Sequence, residues 1–81
     1  MRLKYIITRN NSPVLFSEAE SHNEVASRVG AISAGFVDIE YLKAHDVYAV
    51  DCYGSSISLG MNSSKGDSVK IAQMLNKKFY T

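Results

Sequence analysis

The stretch that decides the fold is Val47–Met61, which reads VYAVDCYGSSISLGM. Apolar and polar residues alternate on both sides of Gly54 and Ser55, and glycine at the first central position favours a two-residue type II′ hairpin turn. That turn pairs Cys52 with Ile57 and places the neighbouring apolar pairs on the same face, so the pattern and the register agree. The stretch therefore predicts an antiparallel hairpin with Cys52 and Ile57 on its inward face.

Further strands are predicted before this hairpin. In Leu3–Thr8, one predicted face consists of Leu3, Tyr5 and Ile7, and the other of Lys4, Ile6 and Thr8, which is typical of a strand. Ala34–Leu42 also alternates, with Val37, Ile39 and Tyr41 on one face and Asp38 and Glu40 on the other. Pro13 precedes the short apolar run Val14–Phe16. Because proline has no N–H to contribute to a ladder, this strand is expected at a sheet edge.

Two helices are predicted from capping boxes, in which a hydroxyl residue is followed three positions later by a carboxylate. Ser21 and Glu24 open the first helix, and Gly30 is placed to end it. Ser64 and Asp67 open the second. Apolar residues at helical spacing then predict its buried stripe: Ile71, Ala72, Leu75 and Phe79.

The order β-β-α-β-β-β-α predicts an α+β fold in one domain, residues 1–81. We expect a two-layer sandwich, with an antiparallel sheet of about five strands that carries both helices on one face. No apolar run is long enough to cross a bilayer, and a lone cysteine favours a reducing compartment, so a cytoplasmic location is expected. The net charge of +1 gives no general attraction to nucleic acid or membrane.

The polar face of the sheet is the first candidate for function. Carboxylates and aromatic residues share it in the predicted register, and aromatic side chains among polar ones are typical of contact surfaces. The predicted interaction surface consists of Phe36, Asp38, Glu40, Asp51, Tyr53 and Ser58. A solvated sheet face is the alternative, and a metal or acid–base site built from the carboxylates is a weaker one.

The start of the last helix is the second candidate, since the amides and dipole of a helix N-terminus attract anions. The predicted anion-binding residues are Ser64, Lys65 and Lys70, with Lys77 and Lys78 adding charge for nucleic acid or nucleotides. The segment lacks the glycine-lysine pattern of a P-loop, so an ordinary helix cap is the alternative.

Cys52 is interpreted as structural. A cysteine nucleophile needs an electropositive, partly exposed position and a nearby base. The spacing of the two histidines, His22 and His45, brings neither to the predicted inward face of the hairpin. No zinc signature and no hydrolase or dinucleotide motif occurs, so no cofactor and no enzymatic activity are predicted.

Two resemblances bear on function. From Ser21 onward the order α-β-β-β-α resembles a double-stranded-RNA-binding domain, and Ser64-Lys65-Gly66 corresponds in part to the serine-lysine-lysine run with which that family grips phosphates. The strand sequences at 33–37 (SAGFV) and 52–60 (CYGSSISLG) are similar to short uncharacterised proteins of bacteria and their phages. The second resemblance implies a phage or mobile-element accessory protein that binds a host protein.

The sequence thus predicts a small non-enzymatic binding protein. Its partner is expected to be another protein, reached through the polar sheet face, or a second copy of the chain paired through an edge strand. The alternative is an RNA-, nucleotide- or anion-binding module that uses the start of the last helix.

Overall fold

A computed structural model describes residues 1–77. The predicted positions Lys78 and Phe79 lie outside the described residues. The elements in chain order are β1 (Arg2–Ile7), β2 (Pro13–Phe16), α1 (His22–Val29), β3 (Ser33–Leu42), β4 (Val47–Tyr53), β5 (Ser55–Ser56), β6 (Met61–Asn62) and α2 (Asp67–Leu75). The α+β class is therefore confirmed.

The main sheet of the described chain is antiparallel, with the strand order β2-β1-β3-β4. Strand β2 forms one edge, as Pro13 predicts, and pairs only with β1. Asn11, with a φ of 66°, turns the chain between β1 and β2, and asparagine tolerates this left-handed conformation better than most residues.

Helix α1 begins and ends where its capping residues predict. The Ser21 hydroxyl accepts a hydrogen bond from the amide of Glu24 at 3.1 Å, which satisfies one of the free N–H groups of the first turn. Gly30 follows the last residue of α1 at a φ of 73°, and its amide donates to the Ala26 carbonyl. Glycine adopts this conformation without a steric penalty.

The two helices pack on opposite faces of the sheet, so the prediction of both on one face is wrong. Tyr5 points toward α2 and lies in a cluster with Ile71. Ile6, the next residue, points the other way and lies in a cluster with Val25 of α1. Neighbouring residues of a strand face opposite sides, so the unbroken apolar run Tyr5–Ile7 needs a layer on each side.

The predicted hairpin at Val47–Met61 is also wrong. Strand β4 pairs along its whole length with β3, and the two-residue strand β5 forms a separate small sheet with β6. The described chain therefore has four strands in the main sheet, not about five. Gly54 does turn the chain, at a φ of 75°, but Ile57 is 96% exposed instead of buried. Strand β3 takes one edge of β4, and the hairpin would have needed the other edge.

Helix α2 occupies the edge of β4 that the hairpin would have used. The Tyr48 amide donates to Asn76 Oδ1 at 2.9 Å, and Asn76 Nδ2 donates to the Tyr48 carbonyl at 3.0 Å. The Cys52 amide donates to the Ser68 hydroxyl at 2.9 Å. Side chains of α2 and its C-terminal cap thus satisfy backbone groups that an edge strand otherwise leaves open.

Gly35 brings β3 and β4 close together beside the candidate surface. A Cβ atom at this position would lie 2.6 Å from the Tyr53 carbonyl oxygen and 3.3 Å from the Tyr5 ring. Any larger residue would push the strands apart where Phe36 pairs with Tyr53.

Candidate functional site

Five of the six residues of the predicted interaction surface lie together. The register pairs Phe36 with Tyr53 and Asp38 with Asp51, and it places Glu40 opposite Ala49. These residues alternate with Val37 and Ile39, which face α2, so they lie on the opposite side of the sheet. We call the surface formed by Phe36, Asp38, Glu40, Asp51 and Tyr53 the open sheet face.

The rest of this side of the sheet is covered. Helix α1 packs over Ile6 and Ala34, and Leu59 and Met61 of the β5–β6 region pack against the same cluster. The cover ends at Phe36, whose ring contacts His22 of α1 edge-on at 5.7 Å. Asp38, Glu40 and Asp51 extend beyond it and are exposed.

An aromatic pair borders the acidic part of the open sheet face. The rings of Phe36 and Tyr53 stack with centroids 6.2 Å apart and planes inclined by 26°. The Arg2 guanidinium lies 4.2 Å from the Phe36 centroid and 5.9 Å from that of Tyr53. Its Nε forms an ion pair with Glu18 Oε1 at 2.5 Å. A cation over an aromatic face is attracted by the ring's negative surface, so this site holds a guanidinium in place.

The open sheet face carries the acidic residues Asp38 and Asp51, and Arg2 of β1 lies opposite Asp38. The two aspartates are direct cross-strand partners, and like charges in this position destabilise a sheet. The pKa of Tyr53 is raised, chiefly by loss of hydration and also by Asp38, against the opposing effect of Arg2. A groove of about 520 Å³ runs over Asp38 and Asp51, and Met1 and Glu40 also line it.

A metal site does not form on this surface. Within residues 1–77, no three or more histidine, cysteine, aspartate or glutamate side chains come together in an arrangement that could hold a metal ion. Glu40 lies opposite Ala49, so the third carboxylate has no acidic partner across the strands. The arrangement offers charge next to aromatic area on an exposed surface, which suits contact with another macromolecule.

Ser58 does not belong to the open sheet face. It lies in the turn between β5 and β6, and its hydroxyl is 3.3 Å from that of Ser56. Its predicted place on this surface depended on the hairpin at Val47–Met61, which does not form. Ser58 lines a separate cleft beside α1 instead.

Cys52 lies on the side of the sheet that packs against α2. It is half-buried beside the cluster of Tyr5, Val37 and Ile71. Burial raises the pKa of its thiol, and this outweighs the lowering effect of the Ser68 hydroxyl, so the thiolate is disfavoured. His22 lies in the layer on the other side of the sheet, where it contacts Phe16 and Phe36.

A buried polar pair links β1 to the start of α2. The Tyr5 hydroxyl donates to Asp67 Oδ2 at 2.5 Å, and both residues are 0% exposed. The Ser64 amide donates to the same oxygen at 2.9 Å. The other oxygen of Asp67, Oδ1, is buried without a partner among residues 1–77. Burial and the Asp67 carboxyl group raise the pKa of Tyr5.

This pair bears on the predicted anion site. Ser64 and Lys65 are exposed and Lys70 is half-buried, but the carboxylate of Asp67 already accepts the Ser64 amide at the start of α2. The chain's own acid therefore uses one of the amides that precede α2, and the predicted anion site stays a prediction. Lys77 is exposed beyond α2.

Sequence reasoning missed Arg2 and Glu18, which complete the surroundings of the aromatic pair. The alternation of β1 could have placed Arg2, because Arg2 precedes Leu3 and therefore falls on the opposite, polar face. Glu18 follows β2 in an irregular segment, and no periodicity places such a residue.

Comparisons with known proteins add no relative. The chain matches no family model, no curated protein and no solved structure. In the described part, neither helix is long and apolar enough to span a bilayer. The fold and the surface together define a small α+β domain with one partly uncovered sheet face, and both resemblances noted from the sequence stay predictions.

Proposed function

We propose that this protein is a non-enzymatic binding module whose open sheet face contacts another protein. The observation that carries the proposal is the row of paired residues left uncovered beyond α1, in which an aromatic pair lies next to two directly opposed carboxylates. Aromatic residues provide contact area, and carboxylates provide orientation and partner choice.

The chemistry of the surface favours a partner with cationic side chains. Asp38 and Asp51 lie opposite each other on β3 and β4, and a lysine or arginine of a partner placed between them would be attracted to both. Arg2 illustrates the compatible chemistry within the chain, since its guanidinium lies over the aromatic pair. The phage or mobile-element setting implied by the resemblance is part of this proposal, as is a cytoplasmic location.

The test compares three forms of the tagged protein: wild type, Asp38→Lys/Asp51→Lys, and Glu24→Lys. Glu24 is exposed on α1 and is not part of the open sheet face, so its variant reverses a single charge outside the proposed surface. Circular dichroism first establishes that each form is folded. Proteins captured from the native host are then quantified by mass spectrometry.

We expect at least one partner to be lost with the double variant and retained with Glu24→Lys. That partner, once purified, should bind wild type directly and weaken as salt rises, because exposed charge pairs are screened. Equal capture by all three forms would refute the open sheet face as the binding surface.

A further inference from the structure

A cleft of about 450 Å³ lies between the start of α1 and the β5–β6 hairpin, where the cover over the sheet ends. This volume falls in the range of small-molecule sites, which begins at about 300 Å³. The cleft does not include the acidic part of the open sheet face. The side chains that matter for its chemistry are Lys4, Ser21, His22, Ser55 and Ser58.

The cleft presents hydrogen-bond donors and one positive charge. The Lys4 ammonium donates to the Glu20 carbonyl at 2.7 Å and has two more protons to give. The Ser21 hydroxyl accepts from the Glu24 amide and keeps its own proton for another acceptor. No acidic side chain of the described residues lines the cleft. An anionic group is therefore the preferred occupant near Lys4.

His22 adds a buried acceptor. The residue is 4% exposed, and its Nε2 lies 2.8 Å from the Gly35 carbonyl oxygen. A carbonyl oxygen only accepts, so Nε2 carries the hydrogen and Nδ1 of the neutral ring is an acceptor. Nδ1 has no partner among residues 1–77, and it keeps some contact with solvent. His22 is one of the residues that line the cleft.

We propose that this cleft binds a small phosphate ester that carries hydroxyl groups, of the sugar-phosphate or mononucleotide class. The phosphate accepts from the Lys4 ammonium and from serine hydroxyls, and a ligand hydroxyl donates to His22 Nδ1. A simple inorganic anion satisfies only the first of these two requirements. The ring of Phe36 forms an apolar wall, as is usual in sites for small organic molecules.

The test is a titration followed by amide NMR spectra and by the ring-nitrogen resonances of His22. The probes are ribose phosphate, AMP and inorganic phosphate, and the variants are Lys4→Gln and Lys43→Gln. Lys43 is an exposed residue just beyond β3 and does not line the cleft, so its variant removes the same charge elsewhere. Ser58→Ala is a second cleft variant at an exposed position.

We expect ribose phosphate or AMP to shift the amides of Ser55–Ser58 and the Nδ1 resonance of His22 in a saturable way. Lys4→Gln should weaken binding by about tenfold or more, as expected for loss of a charge-assisted hydrogen bond, with Lys43→Gln unchanged. A stronger response to AMP than to ribose phosphate would assign the nucleotide class, and an equal response the sugar-phosphate class. Both results support the proposal.

Three results would overturn it. One is the absence of saturable shifts with either ester at millimolar concentration. Another is equal weakening by Lys4→Gln and Lys43→Gln, which would indicate unspecific charge attraction. In the third, inorganic phosphate binds as tightly as both esters, and the Nδ1 resonance of His22 does not change. His22 Nδ1 would then have no role in binding. If Lys4→Gln fails to fold, Ser58→Ala takes its place in the test. An unchanged affinity of Ser58→Ala for the esters would then count against the cleft.

Discussion

Replacing Tyr5 with phenylalanine removes one hydroxyl from the interior and leaves the ring in place. The lost hydrogen bond, to Asp67 Oδ2, lies between two residues that are both 0% exposed. Asp67 would retain only the Ser64 amide, while its Oδ1 already lacks a partner among residues 1–77. Water cannot replace the hydroxyl without entering the core, so the desolvation cost of the carboxyl group is no longer offset.

The expected loss in the free energy of unfolding is about 2 kcal/mol, since leaving a buried polar group without its hydrogen-bond partner costs roughly 1–3 kcal/mol. A chain of 81 residues is expected to be stable by about 4–12 kcal/mol in total. The variant should therefore unfold about 8–16 °C lower, at roughly 4–8 °C per kcal/mol for a domain of this size.

The assay is urea unfolding followed by circular dichroism, with Tyr48→Phe as control. Tyr48 is 40% exposed, and its hydroxyl makes no hydrogen bond within residues 1–77, so this variant should stay within about 0.5 kcal/mol of wild type. A loss at Tyr5→Phe no larger than that of the control would refute the reasoning, because the buried bond would then contribute nothing.

The pH dependence provides a second readout. The pKa of Tyr5 is raised in the folded protein, so above the usual tyrosine pKa of about 10 the folded state keeps a proton that the unfolded chain releases. The folded state then binds more protons, and stability falls as pH rises. Tyr5→Phe lacks this contribution, so the difference in free energy of unfolding between wild type and Tyr5→Phe should narrow above about pH 10. A difference that stays constant would contradict a raised pKa of Tyr5.

Three further predictions follow from single contacts. Gly35→Ala should destabilise the fold by about 1–3 kcal/mol in urea unfolding, because its Cβ meets the backbone of β4. Gly66→Ala has open space around its Cβ and should cost less, about 1 kcal/mol or below for the changed N-cap of α2. A larger loss at Gly66→Ala than at Gly35→Ala would be incompatible with the close approach. Cys52 should react with iodoacetamide far more slowly than free cysteine at neutral pH, since burial raises its pKa, and equal rates measured by mass spectrometry would argue that it is exposed. Asn76→Ala should speed hydrogen exchange at the Tyr48 amide, whose acceptor it removes; unchanged protection would show that this bond does not guard the edge.

The sequence alone determined the local elements and which residues share a face. Alternation in Ala34–Leu42 placed Asp38 and Glu40 on the side opposite Val37, and the structure confirms this. The box at Ser21 and the glycine at position 30 set the bounds of α1. These features depend on backbone periodicity and on bonds between residues a few positions apart, and the chain carries that information directly.

Only the tertiary structure decided which strand pairs with which. The hairpin register around Gly54 was self-consistent, yet β4 pairs with β3, and α2 takes its other edge through Asn76 and Ser68. Alternation sets the side on which a residue lies but does not distinguish among several strands with the same pattern. The cleft near His22 and the place of Arg2 over Phe36 likewise arise from segments distant in sequence, whose contacts follow from packing both faces of one sheet.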